Sequence, residues 1–232
     1  MSGRQTRVNL LAIDTTEAGC SAALLVDGGL TERFEHAPRR HSELLLPMMD
    51  ELLGEAGVAL TELDALAFAR GPGSFTGIRI ATAVVQGAAF GAGLPVVPVS
   101  SLQALAQGVA RTTDASAVCV ALDARMHEVY YAAYRCTDHR VDGVIVEERV
   151  CPPDAVPVPD VPGWHAAGSG WRAYGDRLAS RCGDPVAIHA DRQIRAGDVA
   201  LLAARLYRSG AGVSADQALP IYLRDQVAWA KP

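Results

Sequence analysis

Any chemistry in this 232-residue chain has to come from a few groups. These are the turn Gly71-Pro72-Gly73-Ser74-Phe75-Thr76-Gly77, the aspartates Asp14 and Asp123 that each end an apolar run, Arg79, and six histidines. A glycine-rich turn holds phosphate when its backbone N–H groups converge on the anion, commonly with a lysine as in G-x-x-x-x-G-K-[ST]. No lysine stands here. Ser74 and Thr76 are suited to capping a helix, and Gly71, Gly73 and Gly77 allow backbone geometry closed to larger residues. Arg79 is able to pair with a phosphate, and equally with a carboxylate such as Asp14. The histidines (His36, His41, His127, His139, His165, His189) include no i, i+4 pair and no H-E-x-x-H, so they read as no helical metal site. His41 reads as a helix-entry residue.

Composition narrows the classes. An apolar content of 50% supports a folded core, and a formal charge of -5 argues against a chain that grips nucleic acid alone, since its 21 basic residues are scattered. Five cysteines, odd in number and without a C-x-x-C pair, suggest reduced thiols and a cytoplasmic address rather than a disulfide framework. The first residues lack the apolar run of a signal peptide, and no stretch reaches the length of a membrane helix, so a soluble protein is expected.

Three strands are expected at the start, 8–14, 20–28 and 29–36, forming an antiparallel meander with a tight Asp27-Gly28-Gly29 turn. Helical and extended segments then alternate: a helix over 42–55, a strand at 63–69, a helix after the glycine turn, a strand at 95–99 and a helix over 101–111. Near residue 115 the order restarts, with strands at 116–125, 128–136 and 142–150. LLAIDTTEAGCSAALL and VCVALDARMHEVYYAAY each present a buried strand, an aspartate, a short turn and a second strand, which places Asp14 and Asp123 in corresponding positions of two related halves. The proline-rich stretch 151–163 reads as an extended surface connection. Helices are expected over 171–182 and 198–210, the latter with Asp198 as N-cap and Gly210 at its end. The terminal ALPIYLRDQVAW reads as a strand. Trp164 and Trp171 are expected to cover a small core, and Tyr130, Tyr131 and Tyr134 to lie on a strand. GSGWRAYG reads as either the remnant of an adenosine-binding loop or a glycine-rich helix start.

Two copies of one strand–helix order match the duplicated actin-like (ASKHA, ribonuclease-H-like) α/β fold of actin, sugar kinases and heat-shock ATPases. Two domains, 1–112 and 113–232, each with a mixed sheet flanked by helices, are expected. AIDTTEAGCSAALL, HSELLLPMMDELL, ARGPGSFTGIRIATAVVQGAAFG, VPVSSLQALA and PIYLRDQVAW together resemble the TsaB family, accessory proteins of bacterial tRNA threonylcarbamoyladenosine formation, and more distantly its catalytic paralogue TsaD. In that paralogue two histidines spaced H-x-x-x-H hold the metal; Ser101 and Leu105 stand at the matching places here. The ATPase members of the fold carry D-x-G-[TS], where this chain has Asp14-Thr15-Thr16. The resemblance therefore implies a subunit with no catalytic residues, no metal and no cofactor of its own, with ATP or Mg at most at a shared interface. Asp14, Thr15, Ser74, Arg79 and Asp123 are the candidate nucleotide-proximal residues. The competing class is a free-standing ATPase or small-molecule kinase of the same fold.

Leucines and methionines of the 42–55 helix spread over about 200° of its circumference, more than one buried face needs. The 78–90 helix has only Arg79, Thr82 and Gln86 as polar residues, in one strip. Either the two helices are central within the monomer or they keep an apolar face for a partner. By the resemblance, Leu45, Met48, Met49, Leu52, Ile80, Val84, Gly87 and Ala88 are partner-binding residues. The partners so implied are a TsaD-like catalytic paralogue that modifies adenosine 37 of ANN-decoding tRNA, a TsaE-like ATPase and a second copy of this chain, with tRNA reached only through the complex and no membrane involved.

Overall fold

The computed structural model describes residues 7–224. The described residues divide into two compact units, 7–108 with 193–220, and 109–192 with 221–224.

In the first unit β1 (Leu10–Asp14), β2 (Gly19–Val26) and β3 (Gly29–His36) form the expected meander. Two further strands, β4 (Ala65–Ala69) and β5 (Val96–Val99), add in parallel beside β1, giving the order β3-β2-β1-β4-β5. The central strands LLAID and ALAFA are buried at every residue, as parallel strands covered on both faces must be. Leu11, Ile13, Ala22, Leu24, Leu66 and Phe68 pack beneath α1 (His41–Ala56) and α2 (Phe75–Ala92). Alternation turns Leu10, Ala12, Ala23, Ala65 and Ala67 to the other face. There α5 (Ala196–Arg208) lies across β1, β2, β4 and β5, with Ala196, Gly197, Ala200, Ala203 and Ala204 buried. Small residues on both sides let helix and sheet approach closely.

α5 corrects the expected division at 112/113, because residues 193–220 return to the first unit. Its start is also not capped by Asp198, which lies inside the helix; the N-cap position is Arg195, which provides no side-chain cap. The first N–H groups are met from the sheet instead. Ser21 Oγ accepts from Ala196 N–H (2.9 Å) and Glu32 Oε1 from Gly197 N–H (2.8 Å). The other Glu32 oxygen accepts from Arg195 Nε (3.0 Å) and Nη2 (2.7 Å), and that guanidinium covers the Phe34 ring at 4.0 Å. A carboxylate at a helix N-terminus also complements the helix dipole.

The second unit repeats the sheet. β6 (Ala117–Asp123), β7 (Val129–Thr137) and β8 (Arg140–Cys151) form a meander, and β9 (Trp164–Ala167) and β10 (Ile188–His189) add in parallel, in the order β10-β9-β6-β7-β8. Asp14 and Asp123 end corresponding strands. One helix, α4 (Ser169–Cys182), covers β6. Where the first unit has α1, the second has the proline-rich stretch. It is not wholly a surface connection, because Pro153–Ala155 forms a 3-10 turn and Val156 is buried in the core with Trp164, Trp171 and Leu178. The two tryptophan rings lie 5.6 Å apart, and Trp171 Nε1–H donates to Cys119 O (3.1 Å). α3 (Ser101–Ala110) spans the boundary between the units. Residues 218–224 form no strand; the rest of the expected terminal strand lies outside the described residues. All five cysteines are free thiols.

Glu32→Ala removes the Arg195 pair and the α5 cap together. It is expected to destabilise the protein by about 2 kcal/mol in urea unfolding.

Candidate functional site

The glycine turn meets the β1–β2 connection directly. A Cβ built on Gly77 would lie 1.9 Å from Thr15 O, and one on Gly73 2.4 Å from Thr16 O. Ser74 N–H donates to Thr16 O (2.6 Å), and Thr15 Oγ1–H donates to Gly77 O (2.7 Å). Ser74 is the N-cap of α2, its side chain accepting from Gly77 N–H (3.4 Å); Thr76 lies inside the helix. The glycines thus serve backbone-to-backbone contact between the turn and the Thr15-Thr16 chain. Thr15 and Thr16 are fully buried.

Asp14 is 1% exposed, and its Oδ1 accepts from Thr16 N–H (3.1 Å) and Thr16 Oγ1–H (2.6 Å). Burial lifts its pKa to about 7 against the lowering effect of those hydrogen bonds, with Glu17 and Glu32 adding to the rise. Asp123 is the more open of the pair, and it binds its own turn, accepting from Arg125 N–H (2.9 Å) and pairing with the Arg125 guanidinium (3.0 Å). Among the described residues no group of three or more His, Cys, Asp or Glu could hold a metal ion. Ser101 and Leu105, at the places of the paralogue's metal histidines, are buried.

The second unit uses the same device at its own helix start. A Cβ on Gly170 would lie 2.8 Å from Ala121 O, and Asp123 N–H donates to Ser169 Oγ (3.1 Å). GSGWRAYG is therefore a glycine-rich helix start laid against β6. Of the candidate nucleotide-proximal residues, Asp14, Thr15 and Ser74 come together. Arg79 turns outward, its guanidinium 3.7 Å over the Phe75 ring.

The two front helices differ. On α1, Leu45, Met48, Met49 and Leu52 point into the first unit's own core. They are corrected from partner-binding to core residues; Leu46, 56% exposed, is the outward apolar residue of that helix. On α2, only Arg79 of the expected polar strip lies on the outward face. Thr82 is buried, its hydroxyl donating to Ile78 O (2.8 Å), and Gln86 Nε2 donates to Ala218 O (3.2 Å) in the segment that crosses the helix. The outward side runs through Phe75, Arg79, Ala83, Gly87 and Phe90, with Phe75 57% and Phe90 85% exposed. Ile80, Val84 and Ala88 flank it, half-buried against the core.

The model of the family TsaD: tRNA N6-adenosine threonylcarbamoyltransferase matches residues 34–174. The tRNA threonylcarbamoyladenosine biosynthesis protein TsaB of Escherichia coli (strain K12) is 39% identical, across 97% of this chain and 98% of that one. Its Haemophilus influenzae counterpart is 38% identical, across 97% of each. The chain belongs to the TsaB family. The structure of YeaZ from Pseudomonas aeruginosa superimposes with a TM-score of 0.87 at 46% identity, covering 93% of this chain and all of that one. This agrees with the actin-like, ribonuclease-H-like architecture of two mixed sheets.

Against this TsaB-family frame, Ala83 reads from the sequence as one of the small residues that let another helix approach, and the residues missed by sequence reasoning are Phe75 and Phe90. Their signal was present as fourfold spacing from Phe75 through Gly87, but the surrounding alanines and valines hid which side was outward. Two substitutions separate the two kinds of glycine. Gly77→Ala must push into the Thr15 backbone and is expected to cost about 3 kcal/mol or more. Gly87→Ala, whose Cβ would meet nothing within 4 Å, is expected to stabilise the isolated chain by about 1 kcal/mol; denaturant midpoints read both. Asp14 has a folded pKa above its unfolded value, so the unfolded chain holds fewer protons between about pH 4 and 7 and stability falls as pH rises through that window. Asp14→Asn keeps the acceptor for Thr16 and removes the buried charge. Thermal unfolding of that variant is expected to lose the fall, with a gain at pH 8 on the order of 4 kcal/mol at most.

Proposed function

We propose that the chain is a non-catalytic subunit in the biosynthesis of threonylcarbamoyladenosine in tRNA, working in the cytoplasm. It pairs through α2 and the Leu46 side of α1 with a TsaD-like catalytic paralogue and holds that partner in its active arrangement. Transfer to adenosine 37 of ANN-decoding tRNA takes place on the partner. A TsaE-like ATPase joins the assembly, tRNA is met only through it, and any ATP or magnesium ion is bound where subunits meet. In the absence of the paralogue the same face serves a second copy of the chain.

The outward side of α2 carries this reading. It offers two exposed aromatic rings about 15 residues apart with Ala83 and Gly87 between them, a relief that admits another helix between large anchors. One cation, Arg79, lies on it, already packed on Phe75. The glycine turn without a lysine and the buried Asp14 support the absence of independent nucleotide chemistry. The family names of the relatives support the pathway.

The test is an Ala83→Arg, Gly87→Arg double variant mixed with the purified catalytic paralogue. Both positions face solvent, so circular dichroism is expected to show the same fold and melting not to be lowered. Affinity for the paralogue and threonylcarbamoyl transfer are each expected to fall at least 100-fold. Unaltered binding and transfer would remove the interface, and ATP turnover by the isolated wild-type chain would remove the non-catalytic reading.

A further inference from the structure

The second unit contains a pair of histidines that the proposed function does not use. His165 on β9 and His189 on β10 approach with Nδ1 and Nε2 3.0 Å apart. The ring centroids are 5.3 Å apart and the planes differ by 18°. An imidazole nitrogen lies about 1.1 Å from its ring centroid, so that centroid distance is close to the greatest a 3.0 Å nitrogen contact allows. The rings are therefore nearly coplanar and meet end to end rather than face to face. This is the geometry of an N–H···N hydrogen bond, with one nitrogen donating and the other accepting.

β10 is the edge of its sheet and has only two residues, paired to Ala166 and Ala167. Its attachment to β9 otherwise rests on backbone bonds: Val186 N–H to Trp164 O (3.0 Å), Ala166 N–H to Ala187 O (2.9 Å) and Gly168 N–H to His189 O (3.2 Å). A ladder this short leaves a side-chain clasp a large share of the holding.

We propose that His165 and His189 form a one-proton clasp that fastens β10 to β9 and lets it go when both rings become cationic. The neutral pair shares one proton between the facing nitrogens. A first added proton goes to an outward nitrogen, His165 Nε2 or His189 Nδ1, and leaves the N–H···N bond intact, now charge-assisted. A second leaves no acceptor and sets two positive rings against each other. Nearby groups do not offset this. Arg192 acts on His189 as a further cation, and Asp191 is engaged by Arg172 from α4. Burial acts first on both rings, and each is held below the usual histidine value. Both shifts are downward, so the stabilisation that goes with two neutral rings is complete above about pH 6.5 and declines as pH falls below it, while the clasp itself holds until the second proton binds.

The full chain is to be followed by nitrogen-15 NMR of the imidazoles and by amide exchange from pH 8 to 4.5, corrected for intrinsic rates. The rings are expected to titrate in two separated steps. Protection of the Ala166 and Gly168 amides, which donate to β10, is expected to drop at least tenfold across the second step, while Val120 and Ala132 on β6 and β7 keep theirs. A His165→Asn, His189→Asn variant is expected to show no such pH dependence in those amides. Independent single-step titration of the two rings, or steady protection of Ala166 and Gly168 to pH 4.5, would overturn the clasp; both readings come from the wild-type chain and do not require the variant to fold.

Discussion

Two carbonyl oxygens, of Thr15 and Thr16, occupy the space where side chains on Gly77 and Gly73 would stand. This contact sets the position of α2, because it joins the helix start to the end of the central strand β1 without a side chain between them. From that point the helix crosses the sheet with Ile78, Ala81, Val85 and Ala89 inward, and the register of those four decides which residues are left outside. The same contact encloses Asp14, and burial drives it toward its neutral form.

Much of the fold was legible because each element has a simple period. The meanders at 10–36 and 117–151 read from apolar runs and tight turns, and the two aspartates marked the duplication. β9 and β10 were not legible: WHAA follows a proline-rich stretch, and a two-residue strand has no period to detect. The start of α5 was misplaced by the strong capping tendency of Asp198, since Ser21 and Glu32, far away in sequence, supply the acceptors instead. Tertiary partners overrode a local rule.

The candidate site was half legible for a related reason. The run LLLPMMDELL is so apolar that spacing alone could not divide it into inward and outward residues, and Leu45, Met48, Met49 and Leu52 turned out to fill the core. On α2 two of the three polar residues turn away from the exposed side, because Gln86 bonds a carbonyl of residue 218 and Thr82 bonds its own helix. A polar residue marks water only where no distant segment claims it. Membership of the TsaB family is consistent with a helix whose free side is apolar.

The return of residues 193–220 to the first unit has a consequence for synthesis. When residue 108 leaves the ribosome, the alanine face of the first sheet still lacks α5, and it stays bare until residues 109–192 have been made. At ordinary translation rates that interval is on the order of 10 s. A nascent chain in that state presents Ala12, Ala23 and Ala67 to the cell with nothing over them, so the unit begun first is closed only after the sheet of the second has been made.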